Sequence, residues 1–129
     1  MDLQIPGSIG ELFDKITVLE IKAERIADPA KLGNVRHELQ LLRALALQCG
    51  AGSARQGELI AELRQVNEVL WVIEDDIRDC ERRQDFGADF IALARAVYKT
   101  NDRRAAIKKE INLMHGSAII EEKSYAAQE

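Results

Sequence analysis

The sequence predicts an all-α fold, a four-helix bundle whose third and fourth helices form a long antiparallel hairpin. Three observations carry that prediction. Both prolines, Pro6 and Pro29, lie near the start, so no proline ring interrupts helical hydrogen bonding in the rest of the chain. Two long stretches place apolar residues at alternating three- and four-residue spacings, the period of one buried helical face. Breaks containing glycine or proline separate segments that open on Ser, Asp or Asn, the residues that cap helices. No strand period, internal repeat or linker is visible, so residues 1–129 read as one helical domain with an extended lead-in at 1–7 and a partly ordered tail at 117–129.

The elements follow in order. Ser8-Ile9-Gly10-Glu11 has the form of a capping box, and the first helix runs from it to about Ala27. Its seam is Leu12, Ile16, Leu19, Ala23 and Ile26. Val18 and Ile21 lie off that seam, so this helix is expected to be covered on more than one side. Asp28-Pro29 is a break with a plausible restart, because Pro suits the first helical position. Gly33-Asn34 offers a second start. The second helix carries Val35, Leu39, Leu42, Ala46 and Cys49 and ends at Gly50-Ala51-Gly52.

Ser53-Ala54-Arg55-Gln56 is another capping box, opening a third helix that reaches about Arg83. Its seam is Leu63, Val66, Leu70, Ile73, Ile77 and Cys80. Gly87 is the expected left-handed stop in the connection Asp85-Phe86-Gly87-Ala88. The fourth helix spans about Asp89 to His115, with seam Leu93, Val97, Arg104, Ile107, Ile111 and Met114. Gly116 breaks it, and Ser117 is positioned to cap a short final turn holding Ile119 to Glu122. The third and fourth helices each extend roughly 40 Å at about 1.5 Å per residue. The second helix reaches about half that length, so the far end of the hairpin is expected to pack on another copy of the chain.

Polar residues flank both long seams. On the third helix the row is Asn67, Trp71, Glu74, Arg78 and Glu81; on the fourth it is Tyr98, Asn101, Lys108 and Asn112. Groups beside a seam are partly desolvated and must find partners, either each other or a ligand. Counting outward from the short connection sets Asn101 and Arg104 level with the Asn67–Glu74 stretch. Arg104 stands inside an apolar seam, where an unpaired guanidinium is costly. Glu74 is its expected partner, with Glu20 or Glu24 as the alternative. If the rows line a site, the candidate ligand-binding residues are Asn67, Trp71, Glu74, Arg78, Tyr98, Asn101, Arg104 and Lys108. A divalent metal would take Glu20, Glu24 and Glu74, since Mg²⁺ accepts few carboxylates and keeps its waters.

Composition excludes several classes. The net charge is −4, with both signs interspersed, which argues against sequence-independent nucleic-acid binding. Aromatic residues are too few for base-stacking platforms. Cys49 and Cys80 lie far apart in apolar helical contexts and read as reduced, buried thiols. Met1-Asp2-Leu3-Gln4 lacks a leader's basic and apolar pattern, and no run is long and apolar enough to span a bilayer. A cytoplasmic protein with no membrane partner is the expectation. His37 and His115 lack the spacing of a di-iron bundle. No serine or cysteine has a local base, and no glycine-rich phosphate loop is present.

Three blocks, Gly10-Glu11-Leu12-Phe13-Asp14-Lys15-Ile16-Thr17-Val18-Leu19-Glu20-Ile21-Lys22, Asn67 through Arg78, and Ala94 through Ala105, resemble a small bacterial family catalogued only as a domain of unknown function. The closing Glu121-Glu122-Lys123-Ser124-Tyr125 resembles it too. The resemblance implies a stand-alone cytosolic protein, sometimes found near surface-polysaccharide functions, and assigns no catalytic residue. The chain is more weakly similar to the all-α nucleotide pyrophosphatases, which hold Mg²⁺ with Glu-x-x-Glu and Glu-x-x-Asp pairs. Glu11-x-x-Asp14 has that spacing, whereas Glu20 and Glu24 stand four apart. Helical chorismate mutases use buried Arg and Lys residues, which Arg104 and Lys108 match by type.

The leading functional expectation is a non-enzymatic interaction or accessory protein, self-associating as a homodimer or larger, with a protein partner and no cofactor. The alternatives are a Mg²⁺-dependent enzyme acting on a nucleotide or other phosphorylated small molecule, and a chorismate-mutase-like helical enzyme.

Overall fold

A computed structural model describes residues 1–50 and 52–124. Four helices form: α1 (Ile9–Arg25), α2 (Pro29–Leu47), α3 (Ala54–Arg82) and α4 (Ala88–Met114). Among the described residues there is no strand, and the fold is an all-α bundle. Each of the first three starts where a side-chain oxygen accepts from a free backbone N–H. Ser8 accepts from Glu11, Asp28 from Lys31 and Ser53 from Gln56. The Asp28-Pro29 restart is thus the start of α2, and Gly33-Asn34 lies inside it. Both capping boxes close on one side only. Glu11 and Gln56 turn their side chains to Lys108, which is buried, and His115, which is partly so, instead of the cap backbone, because those partners have less access to water than an N–H at the helix end does.

The α3 and α4 helices share the broadest contact, as the hairpin expectation required. The α1 helix is the hub and packs on all three others, while α2, among the four described helices, touches α1 alone. The core has two halves. Ile16, Leu19 and Leu39 join α1 to α2, and Leu59, Leu63, Val66, Ile107 and Ile111 join α3 to α4. Phe13 packs against both. Ile21 is fully buried, which gives α1 the second covered side expected of it.

Three terminal details differ from expectation. The left-handed residue after α3 is Gln84, φ 56°, not Gly87. Asp85 N–H donates to the Cys80 carbonyl and Gln84 N–H to that of Glu81, a Schellman closure completed three residues before the glycine. Gly87 serves instead as the N-cap of α4. After α4, Gly116 (φ 59°) makes the same closure, with Ser117 N–H on the Asn112 carbonyl. Ser117 caps no further turn: its hydroxyl donates to the Ile119 carbonyl, and the chain doubles back along α4. Three ion pairs hold this return, Glu121 to Lys108, Glu122 to Lys109 and Lys123 to Asp102. Met114 is exposed, because the Leu63-to-Ile111 seam is complete one turn earlier. Tyr125, the end of the closing block, and the rest of the expected tail to 129 lie outside the described residues.

Cys49 and Cys80 are free thiols, Cys80 buried and Cys49 partly so. Among the described residues no helix is long and apolar enough to cross a membrane.

Candidate functional site

One face of α1 runs Gly10, Asp14, Thr17, Ile21, a spacing of four, three and four that turns toward α3 and α4. Gly10 permits the approach. A Cβ there would stand 2.5 Å from the Lys108 carbonyl oxygen and 2.8 Å from Asn112 Oδ1. Gly10 N–H donates to that same Oδ1 at 2.6 Å, so the first turn of α1 is seated on α4. One turn further, this close packing leaves Asp14 only 1 % exposed.

A carboxylate so deeply buried must be neutralised and hydrogen-bonded. Arg104 meets it in bidentate fashion, Nε to Oδ1 at 2.8 Å and Nη2 to Oδ2 at 2.5 Å. Asn67 Nδ2 donates to Asp14 Oδ1 at 3.0 Å and to Thr17 Oγ1 at 2.9 Å, and Thr17 Oγ1 donates back to the Asp14 carbonyl. Donating to the Asp14 carboxylate raises the Arg104 pKa above the usual guanidinium range, against the opposing effect of burial. Lys108 stands 3.9 Å from Asp14 and 2.7 Å and 3.0 Å from Glu11 and Glu121. Burial opposes its charge most strongly, but the bonds to the two glutamates outweigh it and leave the amine above its usual range. Asp14, Asn67 and Arg104 thus join α1, α3 and α4 at one point.

Beside this junction a cavity of about 570 Å³ opens between the three helices. Val18, Ile21 and Lys22 of α1 line it with Val97, Asn101 and Arg104 of α4, and α3 supplies the stretch from Asn67 to Arg78. Six of the eight expected ligand-binding residues are brought together here: Asn67, Trp71, Glu74, Arg78, Asn101 and Arg104. The other two lie elsewhere. Tyr98 is exposed and does not line the cavity, and Lys108 is occupied by Glu11, Glu121 and Asp14.

The expected partner of Arg104 is corrected. Glu74 is 56 % exposed and pairs at 3.6 Å with Arg78 one turn along its own helix, while Asp14 takes the buried guanidinium. A carboxylate on the facing helix reaches a seam arginine; one on the flank of α3 reaches the rim. The expected metal ligands are not gathered either. Arg64 lies between Glu20 (3.7 Å) and Glu24 (2.6 Å), and Arg43 holds Glu20 at 2.8 Å, so cations relieve the carboxylate repulsion. Among the described residues no group of three or more His, Cys, Asp or Glu side chains is placed to hold a metal ion.

Sequence reasoning passed over Asp14, Lys22 and Asp75 as site residues. The signal for Asp14 was present: it shares a helical face with Gly10, Thr17 and Ile21. Lys22 and Asp75 also line the cavity, and neither forms an ion pair among the described residues. His115 is the C-cap residue of α4, and its ring hydrogen-bonds the buried Gln56 side chain, which ties the end of α4 to the start of α3.

No curated protein and no solved structure matches the chain. A family model does, over residues 1–128, and it spans the Asp14–Asn67–Arg104 junction and every residue that lines the cavity. The chain therefore belongs to the family of unknown function DUF6165.

Proposed function

We propose that this protein is a non-enzymatic accessory protein that acts by holding another molecule in the α1–α3–α4 cavity. The observation that carries the reading is Arg104 fixed by Asp14 at the cavity wall. Two of its three nitrogens are spent on the carboxylate, and Nη1 makes no hydrogen bond among the described residues. A guanidinium held in this way is pre-organised to bind, because little rotamer entropy remains to be lost. The lining around it is an indole, two amides, aliphatic side chains and the charged Lys22, Glu74, Asp75 and Arg78; no serine, threonine, cysteine or histidine is among the lining residues, so the groups there suit holding a ligand better than covalent attack on one. The volume falls in the range of about 300–1,000 Å³ common to small-molecule sites. Two free thiols favour a reducing, cytoplasmic setting.

A thermal-shift panel of small molecules, run with and without Mg²⁺, tests the reading. A ligand at about a hundredfold its dissociation constant adds about 2.7 kcal/mol of stability. Stabilisation that Asn101→Ala weakens supports the cavity. Turnover of a nucleotide that requires Mg²⁺ and is lost in Glu74→Gln would favour the metal-dependent enzyme instead.

Self-association belongs to the same proposal and has its own observation. Because α2 packs on α1 alone, Leu41 and Leu45 remain exposed, as do Val69 and Val72 on α3 and Ile91 on α4. Light scattering at micromolar concentration should give at least a dimer mass, and a monomer mass would remove this part.

A further inference from the structure

We infer that the ligand of the cavity is a small organic oxyanion, a carboxylate or phosphate monoester carried on an apolar or aromatic body. The inference rests on the cavity being a binding site and adds what kind of molecule it takes. It follows from where each kind of group sits. The charged side chains set most deeply in the lining are both cations: Arg104, 31 % exposed, and the half-buried Lys22. The acids of the lining, Glu74 and Asp75, are exposed, and Glu74 is already balanced by Arg78 at the rim. Asp14 balances Arg104, so Lys22 is the uncompensated charge of the interior.

Hydrogen-bonding capacity points the same way. Arg104 Nη1, the Lys22 amine, the Asn101 side-chain amide and the Trp71 indole N–H have no hydrogen-bond partner among the described residues. Each presents at least one N–H donor, with the Asn101 amide oxygen the one acceptor among them, and an oxyanion is the acceptor that takes several donors at once. The remaining wall is Val18, Ile21, Leu70 and Val97, which exclude water from one side and suit a hydrocarbon or ring. A bare inorganic ion would leave that wall uncovered, and a neutral polyol would leave Lys22 without a counter-charge.

Trp71 is the only tryptophan in the chain and lines the cavity, so its emission reports occupancy directly. The full chain is titrated with phenyl phosphate and with benzoate as probes, and with inorganic phosphate, benzyl alcohol and benzylamine as controls. The heat of binding is measured in parallel. Phenyl phosphate, benzoate or both should change Trp71 emission saturably and bind at least roughly tenfold more tightly than any control, the worth of one charge-assisted contact. The tighter of the two probes identifies the oxyanion.

Lys22→Gln should weaken the probe by roughly tenfold and leave benzyl alcohol unchanged, since glutamine keeps an N–H donor and removes the charge. Lys22 makes no ion pair among the described residues, so this variant is expected to keep its stability; Arg104→Lys, checked for an unchanged helical spectrum, is the second variant and should weaken the probe at least as much. Benzyl alcohol or benzylamine binding as tightly as the anions would overturn the oxyanion inference while leaving the cavity a binding site. Inorganic phosphate binding as tightly as phenyl phosphate would overturn the apolar body. Failure of every probe to move Trp71 emission would overturn both the inference and the reading beneath it.

Discussion

Replacing Asp14 with alanine should be among the most damaging single changes in this chain. The carboxylate is 1 % exposed and accepts from Arg104 Nε, Arg104 Nη2 and Asn67 Nδ2. Removing it strands the guanidinium and leaves the Asn67 amide with Thr17 Oγ1 as its one remaining acceptor among the described residues. Breaking a buried ion pair from one side costs about 3–5 kcal/mol. Arg104 remains 31 % exposed and can recover some hydration, which places the loss near the lower end. Alanine returns a few tenths of a kcal/mol through helix propensity. The expected net is about 3 kcal/mol, a large share of the roughly 5–15 kcal/mol that stabilises an ordinary domain. Urea unfolding measures it, read as a fall in midpoint at constant slope. Glu74→Ala is the control: its pair with Arg78 is exposed, so it should cost less than about 0.5 kcal/mol. A loss at Asp14 below about 1 kcal/mol, or one no greater than that at Glu74, would refute the assignment of Asp14 as the partner that Arg104 requires.

Three further outcomes are expected. Gly10→Ala should destabilise by about 1–3 kcal/mol in the same assay, because the new methyl meets the Lys108 backbone carbonyl and the helices must separate. Gln84→Gly should stabilise by roughly 0.5–1 kcal/mol, since glycine adopts the positive φ at that stop without steric penalty; an unchanged midpoint would remove the strain argument. Lys108 contributes a pH dependence of known sign. Its amine is held above the unfolded value of about 10.4, so its stabilisation is complete below that pH and disappears as pH rises through the folded value. Unfolding midpoints followed from about pH 8 to about pH 11 should fall, and Lys108→Met should flatten that limb.

The helices were legible in the sequence because local chemistry fixes them: side-chain oxygens at Ser8, Asp28 and Ser53 and the seams from Leu63 to Cys80 and from Ile107 to Ile111 act within a few turns. The level of Asn101 and Arg104 against Asn67 and Glu74 was legible too, since a short connection dictates the register of a hairpin. What escaped was the rotation of α1. Apolar periodicity marks the Leu12–Leu19 seam, and that seam turns to α2. The face that meets α3 and α4 carries Gly10, Asp14 and Thr17, which a hydrophobic pattern passes over. Arg104 was rightly read as needing a carboxylate, but the choice of Glu74 considered α3 and the Glu20/Glu24 flank of α1 and left out the buried α1 face. Lys108 was placed with Arg104 by spacing along α4, whereas the chain reversal at Gly116 brings Glu121 back to claim it. That reversal depends on one glycine conformation and has no periodic signature.

The central claim is that the cavity beside the Asp14–Arg104 pair is where this protein recognises its ligand. Backbone NMR of the full chain during titration with phenyl phosphate tests it most directly. The account predicts saturable shifts concentrated at Lys22, Trp71 and Asn101, with Leu39 and Leu45 on α2 unmoved. Shifts centred on α2 or on the Lys108–Glu121 contact, with those three amides silent, would contradict it.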